Sequence, residues 1–375
     1  MVLIKRFSIF MMLFFSCLML LSCESRPVKE VVNTGTEYNN RGFVSLEKLY
    51  SIDVTTLISI PRGVSVIDYC SIIDFDENNN MYLLDTGDNL ITVFNESGKM
   101  IHTFGGTGQG PGEFIRSNGL IVNDEKIYVF EFTQNYKVVN LSGEYITRQN
   151  IPWINRLKVD LIDNAFYVFE AKVDKSFTDL EFVLSVKGEN FSERRKLLKR
   201  KYPFGLKGPS YEFIFANWVL FSKSGEFYFP DDFFNKFSIT KYDSAGKPLL
   251  RFGREYKVQP YSEEAKNKFF RMYGDKGLDE KKFPVSPPVV RNMILDDRNY
   301  LWVISGETYE DNRNLHFQNT IDIFDENGIW LYSFHPEFKS KSFIHNDGKL
   351  YVVSPIGEQT DEQFIDVYKI HYMSD

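Results

Sequence analysis

Four acidic residues, Asp85, Glu131, Glu170 and Asp231, occupy one position in a recurring pattern, three residues beyond an aromatic residue, and Ser305 and Ser354 complete the series. Arg116, Arg156, Asn217 and Arg291 precede four copies of the same pattern. Carboxylates and guanidinium groups gathered at one opening could bind a polar ligand such as a sugar, the arginines gripping carboxylate or sulfate groups through paired hydrogen bonds. Two carboxylates at a suitable separation could also hydrolyse a glycosidic bond, but sequence does not supply that distance. The same residues have a structural reading, in which the acids accept hydrogen bonds from loop backbones and the arginines pair with them. Both readings stay open at this level.

Other chemistries find little support. Gly106, Gly108, Gly110 and Gly112 suggest a phosphate loop, yet no Gly-Lys-Ser/Thr and no helix pattern follow, and that mechanism needs both. Asp74, Asp76 and Asn78 with Asp85 imitate a calcium loop that lacks glycine at the sixth place, so a plain turn is expected. The five histidines include no close pair, and there is no Gly-x-Ser-x-Gly or His-Glu-x-x-His. No cofactor and no metal are expected, and no catalytic residue can be assigned.

The elements that must position these residues emerge from an internal repeat. Six segments read as an apolar strand, a polar turn and a second strand carrying an aromatic anchor: Tyr82, Tyr128, Tyr167, Tyr228, Trp302 and Tyr351. The anchors recur at gaps of 46, 39, 61, 74 and 49 residues, which suit units of four short strands with variable loops. A third strand follows most pairs and ends in a glycine turn at Gly98, Gly143, Gly246 or Gly328, with Gly188 as a weaker copy. Fourth strands are read at 99–104 and 248–252. The last unit lacks its fourth strand, and residues 51–60, a β-type segment outside the repeats, are expected to supply it. That splice closes a ring. The fold expected is all-β: a six-bladed β-propeller whose last blade is completed by an N-terminal strand. An aromatic content of 16% agrees with sheets.

Residues 82–114, from Tyr-Leu-Leu-Asp-Thr-Gly through Gly-Gln-Gly-Pro-Gly-Glu-Phe, resemble an NHL-type propeller repeat, and most closely the six-bladed β-propeller lipoproteins of bacteria. The loop match is specific, whereas the other five blades match in pattern only. The resemblance implies the fold and leaves the chemistry open, because such propellers include binding scaffolds as well as lyases and hydrolases.

The amino-terminal residues fit the same class. Lys5 and Arg6, an apolar run from Phe7 to Leu21 and the sequence Leu20-Leu21-Ser22-Cys23 resemble a bacterial lipobox, and the run is too short to span a membrane. Residues 1–22 are therefore expected to be a lipoprotein signal peptide, Cys23 the site of lipid attachment, 23–41 a flexible tether and 42–375 the propeller. Losing Lys5 and Arg6 moves the net charge from −7 to −9. An acidic chain of this kind argues against nucleic acid as a partner. Only Cys70 then remains as a thiol, so no internal disulfide is expected.

These readings point to a monomer anchored to the membrane through lipid, in the cell envelope on the periplasmic side of the outer membrane. It would act as a binding or scaffold module for a peptide, protein or glycan, with a carbohydrate-active lyase or hydrolase as the alternative. Within each blade the two tight turns belong on one face and the longer loops on the other. Long loops on a rigid scaffold usually carry function. The face bearing residues 105–114, 254–288, 306–319 and 355–363 is the expected ligand side, with 262–273 read as a short helix that caps the opening or packs against the blades.

Overall fold

The computed structural model describes residues 28–34, 44–57, 72–152 except 124 and 133, 156–173, 179–203, 219–257 except 233 and 234, 263, 267, 289–338 except 312 and 313, 342–353 and 363–373. Two strands, β1 (Lys29–Asn33) and β2 (Val44–Asp53), precede the repeats. Blade 1 is β3 (Ile73–Phe75), β4 (Met81–Asp85), β5 (Leu90–Phe94) and β6 (Met100–Gly105). Blade 2 is β7 (Ser117–Asn123), β8 (Lys126–Glu131), β9 (Asn135–Asn140) and β10 (Tyr145–Asn150). Blade 3 is β11 (Arg156–Ile162), β12 (Ala165–Val173), β13 (Asp179–Lys187) and β14 (Glu193–Pro203). Blade 4 is β15 (Leu220–Phe221), β16 (Phe227–Pro230), β17 (Ser238–Tyr242) and β18 (Pro248–Arg254). Blade 5 is β19 (Asn292–Leu295), β20 (Leu301–Asp311), β21 (Asn314–Phe324) and β22 (Trp330–Phe334). Blade 6 is β23 (Ser342–Asn346), β24 (Lys349–Val353) and β25 (Phe364–Tyr372), completed on its outer edge by β2.

Each aromatic anchor lies on the second strand of its blade, as the repeat predicts. Opposite the six anchors on the first strands stand Asp74, Ile121, Asp160, Leu220, Ile294 and Ile344 in identical register. The turn between these strands is set by a carboxylate in two blades. Asp76 Oδ1 accepts the amides of Asn78 and Asn80, and Asp296 Oδ1 those of Arg298 and Tyr300, all at 2.9 Å. The other oxygen of each acid accepts a hydrogen bond from its anchor, Tyr82 Oη at 3.1 Å and Trp302 Nε1 at 2.8 Å. Of the calcium-like residues, Asp76 and Asn78 form this turn, while Asp74 lies on β3 and Asp85 ends β4.

Glycine at the second hairpin turn has two physical reasons. Gly98, Gly143, Gly246 and Gly328 hold φ between 76° and 88°, a region that penalises Cβ. Each also presses on the preceding blade: a Cβ on Gly328 would meet Phe252, and one on Gly143 would meet Phe104. Blade 3 departs from expectation. Gly188 begins its turn, and Phe191 takes the glycine position at φ 57°. Its ring sits among Phe130, Tyr136 and Phe166, and that burial offsets the backbone cost.

The core lies in wedges between neighbouring blades, where one sheet face packs on the next. One wedge gathers residues of blades 6, 1 and 2, and others join blades 2 and 3, 4 and 5, and 5 and 6. Polar ties complete the circle. Asp74 accepts the Val122 amide, the Tyr136 hydroxyl donates to the Glu189 carbonyl, Lys158 donates to the Val219 carbonyl and Arg254 pairs with Asp322. Asp297 accepts the Gly348 amide, and Asn79 bonds to Asn346 and Asp347.

The N-terminal closure occurs with an earlier segment than the one predicted. β2 spans 44–53 and pairs antiparallel with β25, Ile52 opposite Ile365, so it shares only 51–53 with the expected 51–60. Residues 58–71 lie outside the described residues. The strand pairs across more than 300 residues of sequence, and local alternation could not choose between overlapping β-type windows. Within the segment read as a tether, β1 adds to blade 4 as a fifth, outermost strand, parallel to β18. Its β-branched Val31 and Val32 suit a strand, but no repeat in the sequence identifies the edge that receives it. Residues 306–311 and 314–319, read as a loop, continue β20 and β21 as an extended hairpin. Of the segment read as a short helix, Glu263 and Asn267 are described and both are helical.

Candidate functional site

The first strands of the six blades surround a central channel, which opens among the tight turns as a cavity of about 1170 Å3. Its wall includes Asp74, Lys158, Asp160 and Asn292, and its rim carries Glu77, Asp297, His345 and Asp347. The fold makes this wall polar in a specific way. Of the six residues opposite the anchors, four are aliphatic and two are aspartates, in blades 1 and 3.

Asp74 is held by two backbone amides, Phe75 to Oδ1 at 2.9 Å and Val122 to Oδ2 at 2.7 Å. Surrounding protein raises its pKa to about 7, against the pull of those two hydrogen bonds and with help from the charge of Asp160. Burial also raises the pKa of Asp160, opposed by Lys158 and by the amide of Leu161. His345 is pushed the other way: burial lowers its pKa, although Asp297, 3.6 Å distant, favours the charged ring.

The Asp74 shift has a sign that can be measured. Between about pH 4 and pH 7 the folded chain keeps a proton that an unfolded aspartate has released, so stability falls as pH rises through this window. One such group contributes a slope of up to about 1.4 kcal/mol per pH unit. Urea unfolding midpoints of Asp74→Asn are expected to show a flatter dependence over this range than the parent chain. An unchanged slope would remove Asp74 as its source.

The carboxylates chosen from the sequence lie at the opposite ends of the second strands, and each is engaged. Asp85 accepts the Gly87 amide at 2.8 Å. Glu131 accepts the Ile115 amide at 2.8 Å and lies 3.9 Å from Lys137. Glu170 pairs with Lys187 at 2.9 Å, and Asp231 takes the hydroxyls of Ser238 and Thr240 and the Arg251 guanidinium. Arg116, at φ 50°, lies over the Phe132 ring. Arg156 is paired with Glu170 in the strand register, and the Arg291 amide donates to the Ile304 carbonyl. Asn217 and Ser354 lie outside the described residues. None of Arg116, Arg291, Asp85, Glu131, Glu170 and Asp231 lines the channel cavity.

The glycine loop is a crossover. Phe114 is fully buried against blades 1 and 2, its amide donates to the Gly106 carbonyl, and the Lys137 ammonium donates to the carbonyls of Glu113 and Gly110. Among the described residues no cluster of three or more His, Cys, Asp or Glu could hold a metal ion.

Residues 64–216 match a family described as a 6-bladed beta-propeller. The chain is a six-bladed β-propeller. Among solved structures, the propeller resembles a protein of Bacteroides fragilis whose name calls it exported, at 13% identity and a TM-score of 0.54, over 92% of this chain and 100% of the other. A member of the DUF4221 family from Bacteroides vulgatus is similar at 12% identity and a TM-score of 0.54, over 88% of the propeller chain and 99% of its own. No curated protein matches the propeller. At these identities the likeness is one of fold.

Proposed function

We propose that the propeller is a binding or scaffold module of the cell envelope, lipid-anchored through Cys23 on the periplasmic side of the outer membrane, which takes a positively charged peptide or protein segment into the turn-side mouth of its channel. The lipobox-like residues and the exported neighbour support the location. One observation carries the binding role. Among the described residues, the cavity is lined by nine carboxylic acids against three lysines, on turns whose backbones are fixed by hydrogen bonds. A rigid acidic mouth favours cationic groups and repels anionic ones.

The test is a titration of the purified full chain with labelled oligolysine and oligoglutamate. Oligolysine is expected to bind, with affinity falling as salt rises, and oligoglutamate is expected not to. Combining Glu77→Gln, Asp297→Asn and Asp347→Asn should weaken oligolysine at least about tenfold. Equal affinity for the two peptides, or no effect of the triple change, would remove the channel as the site.

One observation favours a second reading, a carbohydrate-active lyase or hydrolase. Asp74 keeps its proton to about pH 7 within the electrostatic reach of a second channel acid, Asp160, a combination suited to general acid work. Turnover of a glycan panel by the same preparation, lost in Asp74→Asn, would select it.

A further inference from the structure

Basic charge on the rim of the propeller is concentrated on one strand. β14, the outermost strand of blade 3, reads Glu-Arg-Arg-Lys-Leu-Leu-Lys-Arg-Lys-Tyr-Pro, and Arg194, Arg195, Lys196, Lys199, Arg200 and Lys201 are all exposed. The outermost strands of blades 1, 2 and 5, which are β6, β10 and β22, carry a single Lys or Arg between them, Arg148. This concentration stands out on a chain whose formal charge is −7. Two of the six side chains fasten β14 to blade 4, Arg195 donating to the Ser244 carbonyl at 2.6 Å and Arg200 to the Tyr242 hydroxyl at 3.1 Å. Lys196 and Lys199 meet Glu193 and Glu181 in partly exposed pairs, which contribute little to stability.

Blade 4, directly beside this strand, is where the amino-terminal segment joins the propeller. β1 is zipped to β18 over five residues, and Asn33 locks its end by donating to the carbonyls of Gly253 and Gly328 and accepting the Trp330 amide. Five residues separate Lys29 from Cys23, a chain length that reaches at most about 22 Å. An acyl group on Cys23 therefore brings the rim of blade 4 close to the bilayer, and the neighbouring basic strand with it. The same rim exposes Val32 and Leu249, apolar residues suited to the headgroup boundary.

We infer that β14 and the adjoining rim of blade 4 form the surface on which the propeller rests against an anionic lipid bilayer. The inference builds on the lipid attachment proposed above. Lysines and arginines within a Debye length of an anionic surface are attracted to it, and the attraction weakens with salt. The propeller then stands on its edge, with the channel axis running along the membrane and the turn-side mouth open to solvent.

The experiment reconstitutes the full chain, purified from membranes, into vesicles of phosphatidylglycerol and phosphatidylcholine or of phosphatidylcholine alone. Lysines are modified with an amine-reactive reagent and quantified by mass spectrometry, which also reads the acyl groups on the Cys23 peptide. Lys196, Lys199 and Lys201 are expected to react at least about fivefold more slowly on the anionic vesicles, with the difference lost at high salt. Lys99 on blade 1 and Lys369 on blade 6 should react equally on both. Combining Arg194→Gln, Lys196→Gln, Lys199→Gln and Lys201→Gln should abolish the slower reaction of the wild-type strand, read then as loss of salt-sensitive hydrogen-exchange protection along β14.

Equal reactivity of the three lysines on the two vesicle types would overturn the inference while leaving the anchor intact. A Cys23 peptide without acyl groups would overturn the anchor instead. The rim is then tested by adding the unanchored chain to both vesicles, and failure to sediment with the anionic ones overturns it. Stronger protection of the same lysines by a soluble sulfated polysaccharide than by the vesicles would assign the strand to a glycan and also overturn it.

Discussion

Replacing Asp322 with alanine is expected to destabilise the propeller by about 3–5 kcal/mol, read as a lower urea midpoint. Asp322 is fully buried on β21 and accepts two bonds from Arg254 of β18, Nε to Oδ1 at 2.9 Å and Nη2 to Oδ2 at 2.8 Å. Ser333 and Ser305 also donate to it. Alanine leaves a nearly buried guanidinium without its counter-charge and the Ser333 hydroxyl without its acceptor, and the loss of one partner costs more than the net worth of the pair. Arg254 retains the faces of Phe237, Tyr256 and Trp330, within 5.0–5.4 Å of the ring centres. Those rings do not replace a carboxylate. The companion change Arg254→Met in the Asp322→Ala background is expected to recover part of the loss, because an apolar stem leaves no charge unpaired. A loss below about 1 kcal/mol for Asp322→Ala would show that water reaches the pair.

Arg254 is also the residue beside which β1 ends, opposite Asn33 in the parallel register. The inter-blade ion pair and the seat of the amino-terminal strand are therefore one assembly. Loosening the first should raise amide exchange in 29–33 more than in β2, which pairs with blade 6.

What the sequence made legible was local. An aromatic anchor and the turn before it lie within a few residues, and four glycine turns close within four, so the repeat could be read and its strands placed. Gly188 and Phe191 show the limit. A glycine in the window drew attention, while the left-handed residue was a phenylalanine held there by three rings from blades 2 and 3. Long-range pairing was less legible. β2 and β1 are ordinary β-type segments whose partners lie more than 200 residues away, and nothing local distinguishes an edge that will be covered from one that will not.

The candidate site was legible only in part, for a related reason. Acids three residues after four of the six anchors align in sequence, yet each is taken up by an amide, a hydroxyl or a neighbouring lysine. Two of the channel acids stand one strand earlier, opposite the anchors. There Asp74 and Asp160 are the two exceptions in an aliphatic series, a signal visible once first strands are aligned by their anchors instead of by their ends. Which residues surround an axis depends on six strands converging from different parts of the chain, and a sequence shows one strand at a time.

The second large effect is expected at Trp302. Alanine there should cost about 3–5 kcal/mol, since the indole is fully buried between blades 5 and 6 and packs edge-on against Phe334, 6.0 Å away. Two terms contribute, and one further variant separates them. Trp302→Phe keeps most of the apolar volume but removes the N–H that donates to Asp296 at 2.8 Å, and is expected to cost about 1–3 kcal/mol. Asp296 would still hold the Arg298 and Tyr300 amides and the hydroxyl of Tyr372 on β25, so the turn should survive. Tyr82→Phe in blade 1 removes the matching bond to Asp76, which is longer at 3.1 Å, and should cost less, about 1 kcal/mol. If the anchors act through volume alone, Tyr82→Phe will leave the urea midpoint unchanged and Trp302→Phe will lower it only by the cost of its smaller ring. If they act chiefly by bracing the turns at the channel mouth, Trp302→Phe will approach the loss of Trp302→Ala, and oligolysine binding will weaken with it.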